Sequence, residues 1–424
     1  MDFFQMHPKL ERPALEAEQS LVSAFTEIES VTEYNQRKVL YAFQQNRVGE
    51  SHFAASTGYG YDDRGRETLD RVFADVAGAE DALFRSGFVS GTHALTVALF
   101  GVLRPGDRML CVTGRPYETL IGVLGIDGAS SGSLADFGIR YEQLELTPSG
   151  GVDLAALEEA LHQNKYRVVY LQRSRGYSLR PALSCEGIGE AARLVHKISP
   201  GAAVMVDNCY GEFVERREPA ELGADLIIGS LIKNPGGGIA PTGGYIAGRA
   251  GLVELCAYRL TAPQVGREVG ATLGHNRELF MGLFSAPHVV GEALKTAAFA
   301  SALFERMGFP VSPAPADARA DIVQCIRLGS EDALLAFCAG IQRGAPVNAF
   351  ARPEPAAMPG YDCQIVMAAG AFTLGASIEL SADAPLREPY AVWLQGGLNY
   401  HSGKVGVLQA AQAMWEAGCL KLGE

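Results

Sequence analysis

Several polar residues stand where apolar runs end, and their types suit one kind of chemistry. The apolar run 224–228 leads into Gly229-Ser230-Leu231-Ile232-Lys233, and Asn234-Pro235-Gly236-Gly237-Gly238 follows. A second run, 203–206, ends at Asp207, 26 residues (233 − 207) before Lys233. A third motif, Ser90-Gly91-Thr92-His93, opens a helical pattern. A lysine shielded from water loses its charge more readily and becomes a nucleophile toward aldehydes. Pyridoxal 5'-phosphate (PLP) is the aldehyde cofactor that uses such a lysine, and it also needs a carboxylate on its pyridine nitrogen and donors on its phosphate. Lys233 suits the imine and Asp207 the pyridine nitrogen. Ser90, Gly91, Thr92 and Ser230 suit the phosphate, since a helix start offers free backbone N–H groups to an anion. Each residue also has a plainer reading. Lys233 fits a solvated loop, and Asp207, Ser90 and Thr92 fit ordinary helix caps.

The same chemistry asks for an aromatic ring on the pyridine face and an arginine for a substrate carboxylate. Tyr117, in Gly114-Arg115-Pro116-Tyr117-Glu118-Thr119, suits the ring. Arg387 is the first choice for the carboxylate, with Arg175 behind it. The loop Ser56-Thr57-Gly58-Tyr59-Gly60-Tyr61-Asp62-Asp63-Arg64-Gly65-Arg66 reads as irregular throughout, a binding loop or a subunit contact. From it, Tyr59 and Arg64 would reach the phosphate of a neighbouring subunit. The eight histidines show no metal-binding spacing, and His93 reads as a packed helical residue. The glycines after Lys233 are no G-x-G-x-x-G dinucleotide motif.

Composition narrows the partners. The chain has 424 residues, 48% of them hydrophobic and 20% charged, with a net charge of −12. So acidic a chain suits no nucleic acid, and the basic group Arg173, Arg175 and Arg180 is too small to change that. A small anionic substrate or phosphorylated cofactor fits it better. Eight scattered cysteines without C-x-x-C pairs predict reduced thiols and a cytoplasmic protein. No apolar run is long enough to predict a membrane span or a signal segment.

The elements that must position these residues alternate. Apolar runs at 81–84, 109–112, 139–146, 168–171, 203–206, 224–228 and 243–247 read as seven strands, with a helical pattern at 67–77 before them and others at 92–103, 154–162 and 188–198 between them. Continuous apolar strands separated by helices predict an α/β domain with a mainly parallel sheet covered on both faces. Function then collects at the C-terminal strand ends. We divide the chain into an N-terminal helical arm (1–55), a large PLP-binding α/β domain (56–290) and a small α+β domain (291–424). The arm reads as two helical stretches, 13–31 and 36–46, packed on the small domain or a partner subunit. The pattern 279–307 reads as a helix broken at Ala286-Pro287. Beyond it, 321–327, 363–368 and 375–379 read as strands, and 331–342 and 405–415 as helices.

The order of these motifs resembles the fold-type-I PLP enzymes of cysteine and methionine metabolism. It is most similar to the methionine γ-lyase-like family often labelled aluminium-resistance proteins. The residues that carry the likeness are Tyr59 to Gly65, Ser90-Gly91-Thr92-His93-Ala94, Gln172-Arg173-Ser174-Arg175-Gly176-Tyr177, Val206-Asp207-Asn208-Cys209-Tyr210-Gly211-Glu212-Phe213, and Gly229 to Gly237. The resemblance implies Lys233 as the Schiff-base lysine and Asp207 as the pyridine partner. It implies phosphate binding by Ser90 to Thr92 and Ser230, joined across a dimer interface by Tyr59 and Arg64. It also implies homodimers or homotetramers with shared active sites. The implied reaction is β- or γ-elimination from a sulfur-containing amino acid such as methionine, cystathionine or cysteine, with Lys233 or Tyr117 removing the α-proton. An aminotransferase on the same scaffold and a non-catalytic resistance protein are the alternatives. Well-studied γ-lyases carry a small residue before the lysine and an aromatic one after it; Ile232 and Asn234 stand there instead.

Overall fold

The computed structural model describes residues 3–421 apart from 5, 129, 130, 359 and 360. Two helices, α1 (Glu11–Ser20) and α2 (Val22–Gln45), precede α3 (Arg64–Ala77). Seven strands then build the first sheet: β1 (Asp81–Arg85), β2 (Arg108–Cys111), β3 (Arg140–Gln143), β4 (Val168–Gln172), β5 (Ala203–Asp207), β6 (Leu226–Ser230) and β7 (Gly244–Gly248). Between them run α4 (Gly91–Val102), α5 (Glu118–Leu124), α6 (Leu154–Gln163) and α7 (Cys185–Ile198), and α8 (Ala250–Leu260) follows. The strand order is β1-β7-β6-β5-β4-β2-β3. The sheet is parallel from β3 to β6, and β7 runs antiparallel to both β6 and β1.

Strand residues alternate between two apolar layers, as a pleated strand requires. Val204, Val206 and Ile227 pack with Phe73 of α3 and Ile188 of α7 on one face. Met205, Leu226 and Ile228 pack with Leu95 of α4 and Val253 of α8 on the other. Covered on both faces, this sheet can expose polar groups only at strand ends, which is where the motifs lie.

Helix α9 (Asn276–Arg306) leads to the second sheet, of β8 (Val311–Ser312), β9 (Gln324–Arg327), β10 (Ile365–Ala369), β11 (Ser381–Pro385) and β12 (Ala391–Gln395). Its order is β10-β11-β12-β9-β8, antiparallel throughout. Helices α10 (Glu331–Arg343) and α11 (Tyr400–Glu416) share its core, and so do Leu10, Ala14, Ala17 and Leu21 from the chain's beginning. Val39 and Ala42 of α2 join the core of the first sheet instead.

Several expectations are corrected. The first two helices meet at Leu21, so α2 is one long helix where the sequence suggested a gap around 32–35. Buried Asn35 closes that gap, donating to the carbonyls of Phe213 and Glu215 at 3.0 Å each. Pro287 does not break α9. The helix is held from outside, with Phe43 of α2 edge-on to Phe280 and Phe284 and Gln36 bonding the Phe284 carbonyl. The segment 375–379 is no strand: Ser377–Glu379 is a 3-10 turn, and Glu379 accepts the N–H groups of Phe372 and Thr373. The loop ending at Arg66 also gives its last three residues to α3, because Asp63 caps that helix at the Arg66 N–H.

Candidate active site

Adjacent strands bring the two decisive residues together. In the β5–β6 ladder Asp207 pairs with Ile228, so Lys233 leaves the sheet one short turn beyond Asp207's neighbour. Lys233 takes part in that turn and its Nζ lies 4.0 Å from the centre of the Tyr210 ring. Burial would push this amine down, but Cys209, Tyr210, Asp207 and Glu212 face it and hold it above the ordinary lysine range. Asp207 is buried at its strand end. Burial pushes its carboxyl up, against the pull of Lys233 and of the Cys209 N–H that bonds Oδ1 at 3.1 Å. Asp207 caps no helix among the described elements, so the plainer reading of that residue falls away.

The start of α4 faces the same strand end. A Cβ on Gly91 would sit 3.2 Å from the Ser230 Cβ and 3.6 Å from the Cys209 sulfur, so this glycine keeps a cradle open between helix and strand. Ser90 caps α4, its hydroxyl accepting the His93 N–H at 3.1 Å. The first turn carries no acidic residue. The capping reading and the anion reading therefore hold together here, because the cap uses one hydroxyl and leaves the dipole end free. Thr92 Oγ1 meets Thr119 Oγ1 at 2.9 Å, tying α4 to the start of α5. His93 accepts the Val89 N–H and packs edge-on to Phe88, as a structural residue does.

Tyr117 closes the space from the β2 end. Its N–H donates to Gln172 Oε1 at 2.7 Å, and its hydroxyl bonds that of Tyr361. Burial, then Tyr361 and Tyr210, push this phenol well above its usual range. A phenol in this setting is a hydrogen-bond donor and a stacking ring.

The two arginines considered for a substrate carboxylate each hold partners within this chain. Arg387 is 42% exposed and pairs with Asp362 at 3.0 Å and Glu118 at 3.8 Å. Arg175 is buried, and its Nη1 is spent on the Ser312 carbonyl and hydroxyl. Tyr59 is 73% exposed and stacked on Tyr61; neither Tyr59 nor exposed Arg64 bonds any residue around Lys233 within this chain. Among the described residues no cluster of His, Cys, Asp or Glu could hold a metal, and no helix is long and apolar enough to cross a membrane.

The residues fit PLP in kind: a buried carboxylate beside a lysine at neighbouring strand ends, with a helix start opened by Gly91 against a buried serine. The methionine gamma-lyase family model matches residues 11–415. The chain belongs to the methionine gamma-lyase family. It is 46% identical over 408 residues to the uncharacterized protein YnbB of Bacillus subtilis strain 168, covering 96% of this chain and 97% of that one. It is 47% identical to a solved carbon-sulfur lyase involved in aluminum resistance from Clostridium novyi NT, with 96% of each chain covered and a TM-score of 0.93. A putative cystathionine beta-lyase involved in aluminum resistance from Clostridium acetobutylicum is 45% identical, again over 96% of each chain, with a TM-score of 0.94. Carbon–sulfur lyase chemistry and a PLP cofactor are thus what the family implies.

Sequence reasoning missed what the second sheet contributes to this family member's site. Asp383 on β11 accepts from the Tyr177 hydroxyl, Gln395 of β12 supports it, and Trp393 packs on Tyr177. One signal existed. Asp383 is the charged residue in a short run of small ones, Ser381-Ala382-Asp383-Ala384, but that run lacks the branched and aromatic residues that mark a strand.

Proposed function

We propose that the chain is a PLP-dependent carbon–sulfur lyase that eliminates at the β or γ carbon of a sulfur-containing amino acid. The observation that supports this most is the convergence of Lys233, Asp207 and the Gly91 cradle at three adjoining element ends. PLP, when bound, supplies an aldehyde for the amine and a ring that accepts electrons. In this reading Lys233 holds the cofactor through Nζ, and Asp207 keeps a proton on the pyridine nitrogen. The α4 N–H groups, Ser90, Thr92 and Ser230 hold the phosphate. Tyr117 packs on the ring and excludes water. Lys233 Nζ or the Tyr117 hydroxyl, which is bonded to that of Tyr361, would take the α-proton. Tyr59 and Arg64 complete the phosphate site of a second copy.

The test is optical. Purified protein mixed with PLP should show a visible absorbance band, and Lys233→Ala should lose it. Keto acid should then be released from cystathionine, cysteine or methionine. A wild type that stays colourless with PLP overturns the reading.

A further inference from the structure

Asp383 carries an unmet demand in this site. It is only 6% exposed. Tyr177 Oη donates to its Oδ2 at 3.1 Å and Gln395 Nε2 to the same oxygen at 3.0 Å. Oδ1 is buried and has no hydrogen-bond partner among the described residues, and no ion pair there includes Asp383. A buried carboxylate with one unpaired oxygen is costly to keep. Burial pushes its carboxyl up against the bonds from Gln395 and Tyr177 and the pull of Lys233, and Tyr177, which holds it, packs against Tyr117 at the edge of the site. Aromatic rings border that space: Tyr177 lies 5.4 Å from Trp393, 5.7 Å from Tyr361 and 5.9 Å from Tyr117 between ring centres.

An acid at the end of an aromatic enclosure suits an ammonium group, through a charge-assisted bond and the ring faces together. A substrate carboxylate would be repelled there. The substrate's α-amino group would be engaged with the cofactor that Lys233 holds, so the ammonium must be a second one. We propose that Asp383 Oδ1 binds a second protonated amine on the sulfur-linked side chain of the substrate. The substrate class is then a diamino acid thioether of the cystathionine type. This rests on the lyase reading above and makes Asp383 its specificity residue.

Two compounds test it: cystathionine, and S-(3-carboxypropyl)cysteine, which is the same thioether without the second amine. The wild type should favour cystathionine in kcat/KM by about 10- to 100-fold, the range of one charge-assisted bond. Asp383→Asn, checked for an intact visible band, should bring that ratio within about three-fold of unity. Equal use of both compounds by the wild type, or an unchanged ratio in the variant, overturns the assignment. If the variant fails to fold, the wild-type ratio decides alone. If the wild type binds PLP yet turns over neither compound, the lyase reading fails. Dissociation constants for the two compounds, read from tryptophan fluorescence beside Tyr177, then decide on Asp383 separately.

Discussion

Glu212 sits behind Lys233 and shows how much the site asks of single residues. It is buried and bonded by the Tyr245 hydroxyl at 2.7 Å, while its Oε2 has no partner among the described residues. Burial first, and then Glu218, push its carboxyl up to about 8, against the Tyr245 bond and Lys233. In the unfolded chain the same group titrates near the usual value of about 4. Between those values the folded chain binds the extra proton, so this group's share of stability falls as pH rises and is lowest above about 8. Glu212→Gln keeps the acceptor for Tyr245 and removes the titration. Wild type should lose roughly 2 kcal/mol from this group between about pH 6 and pH 8, and the variant should not. Urea unfolding at the two pH values measures the difference; parallel curves would show that Glu212 is ionised throughout.

At the scale of elements, α9 is the backstop for the turn that holds Lys233. A Cβ on Gly282 would lie 2.4 Å from the Gly236 carbonyl oxygen, and one on Gly237, whose φ is +56°, would lie 2.4 Å from the Gly282 carbonyl. Helix and turn thus meet backbone to backbone. Gly282→Ala should cost about 1–3 kcal/mol through overpacking and should weaken PLP binding, because the turn must shift. A calorimetric melt and a PLP titration check both, and an unchanged melting point would show that the contact is slack. That glycine lay within a pattern legible only as helix. The parallel sheet was legible because strands buried on both faces are continuous apolar runs, and strand ends then placed Lys233, Asp207 and Ser90 almost unaided. The second sheet was less so. Its β11 is built from Ser381, Ala382, Asp383 and Ala384 and lacks a strand's usual residues, whereas β12 carries Val392 and Trp393 in a run of only five residues. Asp383 went unseen with its strand, and the ion pairs of Arg387 with Asp362 and Glu118 join residues that sequence spacing does not connect.

For the whole molecule, the loop before α3 matters most. It is exposed, yet it is rigidly built. Asp63 takes bonds from Ser56, Thr272 and Asn276, and the buried guanidinium of Arg66 donates to the carbonyls of Gly60 at 2.6 Å and Gly270 at 2.8 Å. Gly60, at φ +63°, packs so closely that a Cβ would stand 2.8 Å from the Ala271 nitrogen. Six ordered contacts fix a loop whose Tyr59, Tyr61 and Arg64 side chains face outward, together with exposed Leu273 nearby. Loops that merely cover a surface need no such bracing. A loop that inserts into a second copy gains from it, because less freedom is lost on docking. If Arg64 serves the partner's phosphate site, Lys233→Ala and Arg64→Ala spoil different sites of a dimer. Each variant alone should be nearly inactive. Co-refolded in equal amounts, about half of the dimers are mixed, and each mixed dimer keeps one site with both residues intact, so about a quarter of wild-type activity should return. Activity no higher than the sum of the two parents would confine Arg64 to its own chain, and an Arg64→Ala protein as active as wild type would remove it from the site altogether.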